Sequence, residues 1–168
     1  MQIIVNVSPT WGIGKENDLL THVHADMRRF KALTTNHTII VGRRTLESFP
    51  HAAPLPNRTN IVLTRDRSFQ KEGVTICNNL TELGEQISGL DPDSVFVCGG
   101  EQIYRLLLPY CSKALVTLTY SDTKADRFFP NLNLLPEWNL NSVGEMMTEE
   151  PFRFRYLEYE NNTVLRLK

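Results

Sequence analysis

Ile39-Ile40-Val41, Ile61-Val62-Leu63 and Val95-Phe96-Val97-Cys98 are apolar runs with no polar residue inside them. A strand that is apolar on both sides must be covered on both sides, as strands of parallel sheets are. Helical patterns fall between these runs: Ala25 to Leu33, where Asp26, Arg29, Phe30 and Leu33 share a face, then Arg43 to Glu47, Leu80 to Ile87, and Gln102 to Leu108 before Pro109. Ile3 to Val7, Val74 to Cys77 and Leu115 to Tyr120 read as further strands. The expected class is therefore α/β, with a mixed, mostly parallel central sheet flanked by helices. Trp138 to Val143 and Phe152 to Glu160 alternate in polarity and predict a C-terminal antiparallel hairpin at a sheet edge. Pro9 to His24 reads as a long irregular stretch, too apolar for a floppy linker. No repeat or linker divides the chain, so residues 1–168 are expected to form a single domain.

Charge narrows the partners. Lys and Arg number 18 and Asp and Glu 19, for a net charge of −1. Such a balance offers no global field for nucleic acid or an anionic membrane, so any bound anion must be caught by a local site. Cys77, Cys98 and Cys111 are odd in number and match no CxxC spacing. With no signal-like start and no run near the roughly 18 apolar residues that cross a bilayer, the expectation is a soluble cytoplasmic protein.

Chemistry-bearing residues gather where strands end. Gly99-Gly100 follows a buried-type strand and opens a helix, so bare N–H groups there can face a phosphate. Gly42-Arg43-Arg44-Thr45 and Leu63-Thr64-Arg65 lie just past two other strand ends. Ligands of open α/β sheets bind outside such carboxyl ends. One pair of ends serves a pyrophosphate, and the extra arginines point to a further phosphate, as on NADP. A plain tight turn and solvated surface arginines are the competing readings. Asp26 shares its helix face with Phe30 and Leu33. A carboxylate there is costly unless it caps the helix, is paired, or does chemistry. His22 and His24 lack a ligand set around them, and no metal site is expected.

In order along the chain stand Trp11-Gly12-Ile13-Gly14-Lys15-Glu16-Asn17, Ala25-Asp26-Met27-Arg28-Arg29-Phe30-Lys31, Val41-Gly42-Arg43-Arg44-Thr45, Pro54-Leu55-Pro56-Asn57-Arg58-Thr59-Asn60, Val97-Cys98-Gly99-Gly100-Glu101-Gln102-Ile103-Tyr104 and Asp126-Arg127-Phe128-Phe129-Pro130. Together they resemble the dihydrofolate reductase family, of the bacterial chromosomal type. The resemblance implies NADPH-dependent reduction of 7,8-dihydrofolate to tetrahydrofolate, in support of one-carbon metabolism and thymidylate synthesis. It implies hydride transfer to pterin C6 and protonation of N5 by a water near Asp26. It implies a monomer whose partners are dihydrofolate and antifolate inhibitors.

Residue by residue, the resemblance makes Asp26, Leu19 and Thr117 the catalytic set. It lines the substrate site with Ile4, Val5, Met27, Phe30, Phe49 and Leu55, besides Asp26 and Thr117, and gives Arg58 the substrate's glutamate tail. It assigns the cofactor to Asn6, Ile13, Gly14, Gly42, Arg43, Arg44, Thr45, Leu63, Thr64, Arg65, Cys98, Gly99, Gly100, Glu101, Gln102, Ile103 and Tyr104. Residues 9–23 correspond to the active-site loop, and Asp126 to a loop that contacts it. The chain departs from the family pattern at Asn6, Leu19-Leu20, Thr21, His24 and Leu46, where alanine, an apolar residue with proline, tryptophan, proline and tryptophan are usual. Asn161 to Lys168 has no counterpart. Two other readings are a pyrimidine reductase of riboflavin synthesis, which shares fold and cofactor, and a module that binds NADPH or folate without turnover.

Overall fold

The computed structural model describes all residues 1–168. In chain order the strands are β1 (Gln2–Val7), β2 (Gly12–Lys15), β3 (Asp18–Leu19), β4 (Thr38–Gly42), β5 (Thr59–Leu63), β6 (Thr75–Cys77), β7 (Val95–Gly99), β8 (Lys113–Tyr120), β9 (Arg127–Phe128), β10 (Trp138–Val143), β11 (Met147–Glu149) and β12 (Phe152–Asn161). The α-helices are α1 (His24–Thr34), α2 (Arg43–Glu47), α3 (Leu80–Ile87) and α4 (Glu101–Leu107).

The main sheet runs β10-β12-β8-β1-β7-β4-β5-β6, with β11 paired to β12. From β8 to β6 every pairing is parallel, and β12 joins β8 antiparallel. The mixed, mostly parallel sheet expected from the apolar runs is what forms. Alternate residues of a strand face opposite sides, and β1 sorts its side chains accordingly. Ile3, Val5 and Val7 enter the main core with Val97, Val116, Leu83 and Leu107, under α3 and α4. Ile4 faces the other way, against Ile39, Phe96 and Leu115, with Phe30 and Leu33 of α1 laid over them. Ile39, Ile40 and Val62 have no exposed surface, and each such side chain contributes roughly 1.5–3 kcal/mol of burial.

One expectation needs correction, and another is met with added detail. The stretch from Pro9 to His24 is not irregular. Residues 12–19 form the β2–β3 hairpin, and β9 adds to β2 in a separate three-stranded sheet. Its partner is more than a hundred residues away, and Gly12 admits it: a Cβ there would come within 2.5 Å of Ala125 Cβ. Trp11 stacks on Phe129 at 6.1 Å, and its carbonyl accepts from Phe129 N at 2.8 Å, which anchors the base of this flap. The C-terminal hairpin is also more elaborate than expected. β12 pairs with β10 but lies inside the sheet, β10 is the edge, and β11 turns back onto the start of β12.

The last residues are docked. Leu165 N donates to the Pro109 carbonyl at 2.9 Å, and Leu167 packs on the main core beside Gly84. No helix is long and apolar enough to cross a membrane.

Candidate active site

The face of the sheet that carries Ile4 also carries the polar centre. Asp26 lies in the first turn of α1, half-buried. The β1–β8 register sets Asn6 beside Thr117, and Thr119 follows Thr117 on the same side of β8. Thr117 donates its hydroxyl to Asp26 Oδ1. Asn6 Nδ2 donates to Asp26 Oδ2 at 2.9 Å. Thr119 Oγ1 donates to Asn6 Oδ1 at 2.9 Å, and Thr21 Oγ1 lies 3.5 Å from the same oxygen. Thr117 and Thr119 are both buried.

The helix that holds Asp26 has an unusual start. Its N-cap, Val23, has no side-chain oxygen to offer. Glu149 of β11 does that work instead: its Oε2 accepts from His24 N at 2.6 Å and from Ala25 N at 3.3 Å. A carboxylate at a helix N-terminus also complements the helix dipole.

An apolar wall stands next to the carboxylate. Phe30, Leu33, Phe49, Leu55 and Cys98 pack around Ile4, Ile39, Phe96 and Leu115. Burial pushes the Cys98 thiol far above its usual range, so it is an uncharged wall residue. Arg58 closes one side. Its Nε donates to Thr34 Oγ1 at 3.1 Å, its Nη1 to the Pro56 carbonyl at 2.8 Å, and its guanidinium sits 5.9 Å from the Phe30 ring centroid. No carboxylate of the chain pairs with it. A guanidinium so braced presents a fork for an incoming carboxylate. A flat heterocycle bearing an acidic tail matches this combination of anchor, wall and cation.

A second region lies at the ends of β7, β4 and β5. Gly99, with φ +122°, needs to be glycine, because side chains rarely adopt that conformation. A Cβ on Gly100 would come 3.2 Å from Thr45 Oγ1. One on Gly42 would come 3.0 Å from Ile103. Arg43 reaches Glu47 and Asp66 only at 3.7 and 3.9 Å, and Arg44 and Arg65 have no ion-pair partner. Side-chain-free strand ends beside unneutralised arginines suit a phosphorylated dinucleotide, which this donor set fits.

The other expected site residues are placed in different ways. Val5 and Leu63 turn their side chains into the main core, so only their backbone can face a ligand. Tyr104 is buried with its hydroxyl donated to the Ile4 carbonyl at 2.8 Å, and it supports β1 from beneath. Asn6 spends its amide on Asp26. Leu19 and Met27 are exposed, and Leu19 joins none of the hydrogen bonds around Asp26. Glu101 lies beside Arg105 at 3.4 Å, and Gln102 is exposed. Ile13 packs partly on the main core, and Gly14 accepts from Asp126 N at 3.0 Å. Asp126 Oδ2 in turn accepts from Glu16 N at 2.9 Å, which fastens the flap to its neighbouring loop. Thr64 binds back to β6 through its backbone.

Sequence reasoning passed over Thr119, Arg29, Tyr156 and Glu149. Thr119 was within reach, since it lies two residues from Thr117 on the same strand. The Arg29 guanidinium lies over the Tyr156 ring at 3.9 Å with Nη1 buried and unpartnered. Burial pulls its pKa below the usual arginine range, and Tyr156 and Asp26 oppose that shift.

A family model described as dihydrofolate reductase matches residues 1–161. A dihydrofolate reductase of Bacillus subtilis is 37% identical over 150 residues, covering 88% of this chain and 86% of the relative. One of Staphylococcus haemolyticus is 34% identical over 162 residues, covering 95% of each. Among solved structures, dihydrofolate reductase from Enterococcus faecalis, complexed with NADP(H) and a compound named RAB-propyl, superposes with a TM-score of 0.85 at 29% identity, covering 96% of this chain and 95% of that one.

Proposed function

The chain belongs to the dihydrofolate reductase family, and we infer that it reduces 7,8-dihydrofolate to 5,6,7,8-tetrahydrofolate at the expense of NADPH. The observation that carries this reading is Asp26, held on both carboxylate oxygens and facing an apolar wall that ends in an unpaired Arg58. The carboxylate can accept two parallel N–H bonds from the amino-pyrimidine edge of a pterin. Phe30, Phe49, Leu55 and Ile4 cover the ring system and the aminobenzoyl group. Arg58 receives the carboxylate of the glutamate tail. Gly42, Gly99 and Gly100 accommodate the dinucleotide backbone, with Arg43, Arg44, Thr45, Thr64 and Arg65 around its adenosine phosphates.

When bound, NADPH supplies the hydride, which goes to C6 of the pterin; a proton goes to N5, so one NADPH and one proton are consumed per tetrahydrofolate and NADP⁺ leaves. The protein's contribution is alignment, exclusion of bulk water and control of the proton. No side chain of the wall carries an acid that can reach N5. A water beside Asp26, admitted under the β2–β3 flap, delivers the proton, and Leu19 and Leu20 of the flap cover it. The enzyme works as a monomer in the cytoplasm, and compounds that copy the amino-pyrimidine edge compete at Asp26.

The test is the loss of NADPH absorbance on adding dihydrofolate, with wild type beside Asp26→Asn. Wild type is expected to oxidise NADPH only with dihydrofolate present, and the variant to lose turnover by about two orders of magnitude or more near neutral pH. A wild type that binds NADPH yet is silent with dihydrofolate overturns the reading. Near-normal turnover in the variant overturns the role of Asp26.

A further inference from the structure

Asn6 sits where strand geometry aims its side chain between Asp26 and Thr119. It is on β1, directly beside Thr117 of β8, on the face opposite Val5 and Val7. Its amide is used at both ends: Nδ2 to Asp26 Oδ2 at 2.9 Å, and Oδ1 from Thr119 Oγ1 at 2.9 Å. Which end points where is decided by chemistry. An ionised carboxylate has no proton to give, so it must meet the NH₂ group. The two threonine hydroxyls then meet the carbonyl oxygen as donors, Thr119 with 0% exposure and Thr21 with 8%. An asparagine flipped the other way would set two acceptors against each other at 2.9 Å.

We propose that Asn6 is a positioning residue for the reduction: its amide, oriented by Thr119 and Thr21, delivers a fixed N–H to Oδ2 of Asp26 and holds the carboxylate in the orientation that meets the substrate. This deepens the reading of Asp26 as the proton-handling anchor and rests on it. Thr117 supplies the donor on Oδ1 and Asn6 the donor on Oδ2, so the carboxylate plane is held from two strands at once. Removing the Asn6 donor leaves the carboxylate plane held from β8 alone.

The experiment uses the full chain in two assays. In the first, the NMR shift of the Asp26 carboxyl carbon is recorded in the free protein at one fixed pH, for wild type, Asn6→Ala, Thr119→Val and Thr119→Ser. In the second, single-turnover hydride transfer from NADPH to dihydrofolate is followed for the same proteins, beside their NADPH affinity. Asn6→Ala is expected to move the carboxyl signal and to slow hydride transfer by about tenfold, with NADPH affinity near wild type. Thr119→Val is expected to do the same to a smaller extent, because the amide loses its orienting donor, and Thr119→Ser to restore the wild-type signal and rate. Signals and rates of Asn6→Ala and Thr119→Val that superpose on wild type overturn the proposal, as does a loss in Thr119→Val that Thr119→Ser does not restore. If Asn6→Ala does not fold, the Thr119 pair decides alone. A wild type without dihydrofolate-dependent turnover would instead fail the functional reading, while the carboxyl signal still reports whether Asn6 acts on Asp26.

Discussion

Asn6 and Thr117 are direct neighbours across β1 and β8, and each donates to a different oxygen of Asp26. A carboxylate gripped from two adjacent parallel strands has little freedom to rotate. The helix that carries it is fixed independently by Glu149, from a part of the chain more than a hundred residues away. The consequences of these three supports can be measured separately.

Thr117→Val keeps the volume and removes the donor to Oδ1. A hydrogen bond to a charged group contributes about 1.5–3 kcal/mol, so turnover is expected to fall about 10- to 100-fold. NADPH affinity is expected to stay near wild type. Steady-state kinetics with a parallel NADPH titration check both, and equal losses in both would assign Thr117 to general structure.

Gly100→Ala separates binding from folding. Gly100 has φ −84°, which any residue adopts, so the fold is expected to survive. The new methyl would sit 3.2 Å from Thr45 Oγ1 and fill the gap between the end of β7 and the start of α2. The NADPH dissociation constant is expected to rise by about tenfold or more, which fluorescence titration reads. Unchanged affinity would move the pyrophosphate away from this turn.

Glu149→Ala removes the carboxylate that accepts from the first two backbone N–H groups of α1. Lost caps cost about 1 kcal/mol, so the thermal midpoint is expected to fall by about 2–4 °C. Glu149→Gln, which still accepts hydrogen bonds, is expected to lose less. Calorimetry of the two variants, with turnover measured alongside, shows whether helix position reaches Asp26.

Burial pushes the Cys111 thiol up from its ordinary 9.0 to about 12. The folded state therefore holds this proton more tightly than the unfolded state. Its contribution to stability is complete below pH about 9 and is lost as pH rises toward about 12. Cys98 and Tyr104, both raised by burial, act in the same direction. Urea midpoints are expected to fall through this alkaline window and to fall less steeply in Cys111→Ala. A slope unchanged by that substitution would mean another group carries the linkage.

The parallel strands were legible because a strand buried on both faces has no polar residue to interrupt it. The hairpin β2–β3 was not, because Gly12-Ile13-Gly14-Lys15 becomes a strand only when residues 127–128 pair with it. β11 is three residues long and exists by pairing with β12, so no local pattern announces it. In the site, Asp26 stood out as a carboxylate on an apolar helix face. Asn6 was named only for the cofactor and Thr119 not at all, because a neutral polar residue on a buried strand shows its purpose only when register reveals its partner. Glu149 was invisible for the same reason: its role follows from a helix cap that Val23 cannot provide.

The ten-residue β12, inserted between β8 and β10, also bears on how the chain is made. During synthesis the N-terminal part emerges first, bringing Asn6, Asp26 and Arg58 into solution early. Thr117 and Thr119 follow on β8, whose open side stays unpaired until β12 arrives. Glu149 and Tyr156, which secure α1, come later still. A nascent chain thus carries an incomplete site on an exposed strand edge until β12 has emerged and paired. The carboxylate's supports on β8 therefore rest on a strand whose outer edge is closed only by β12.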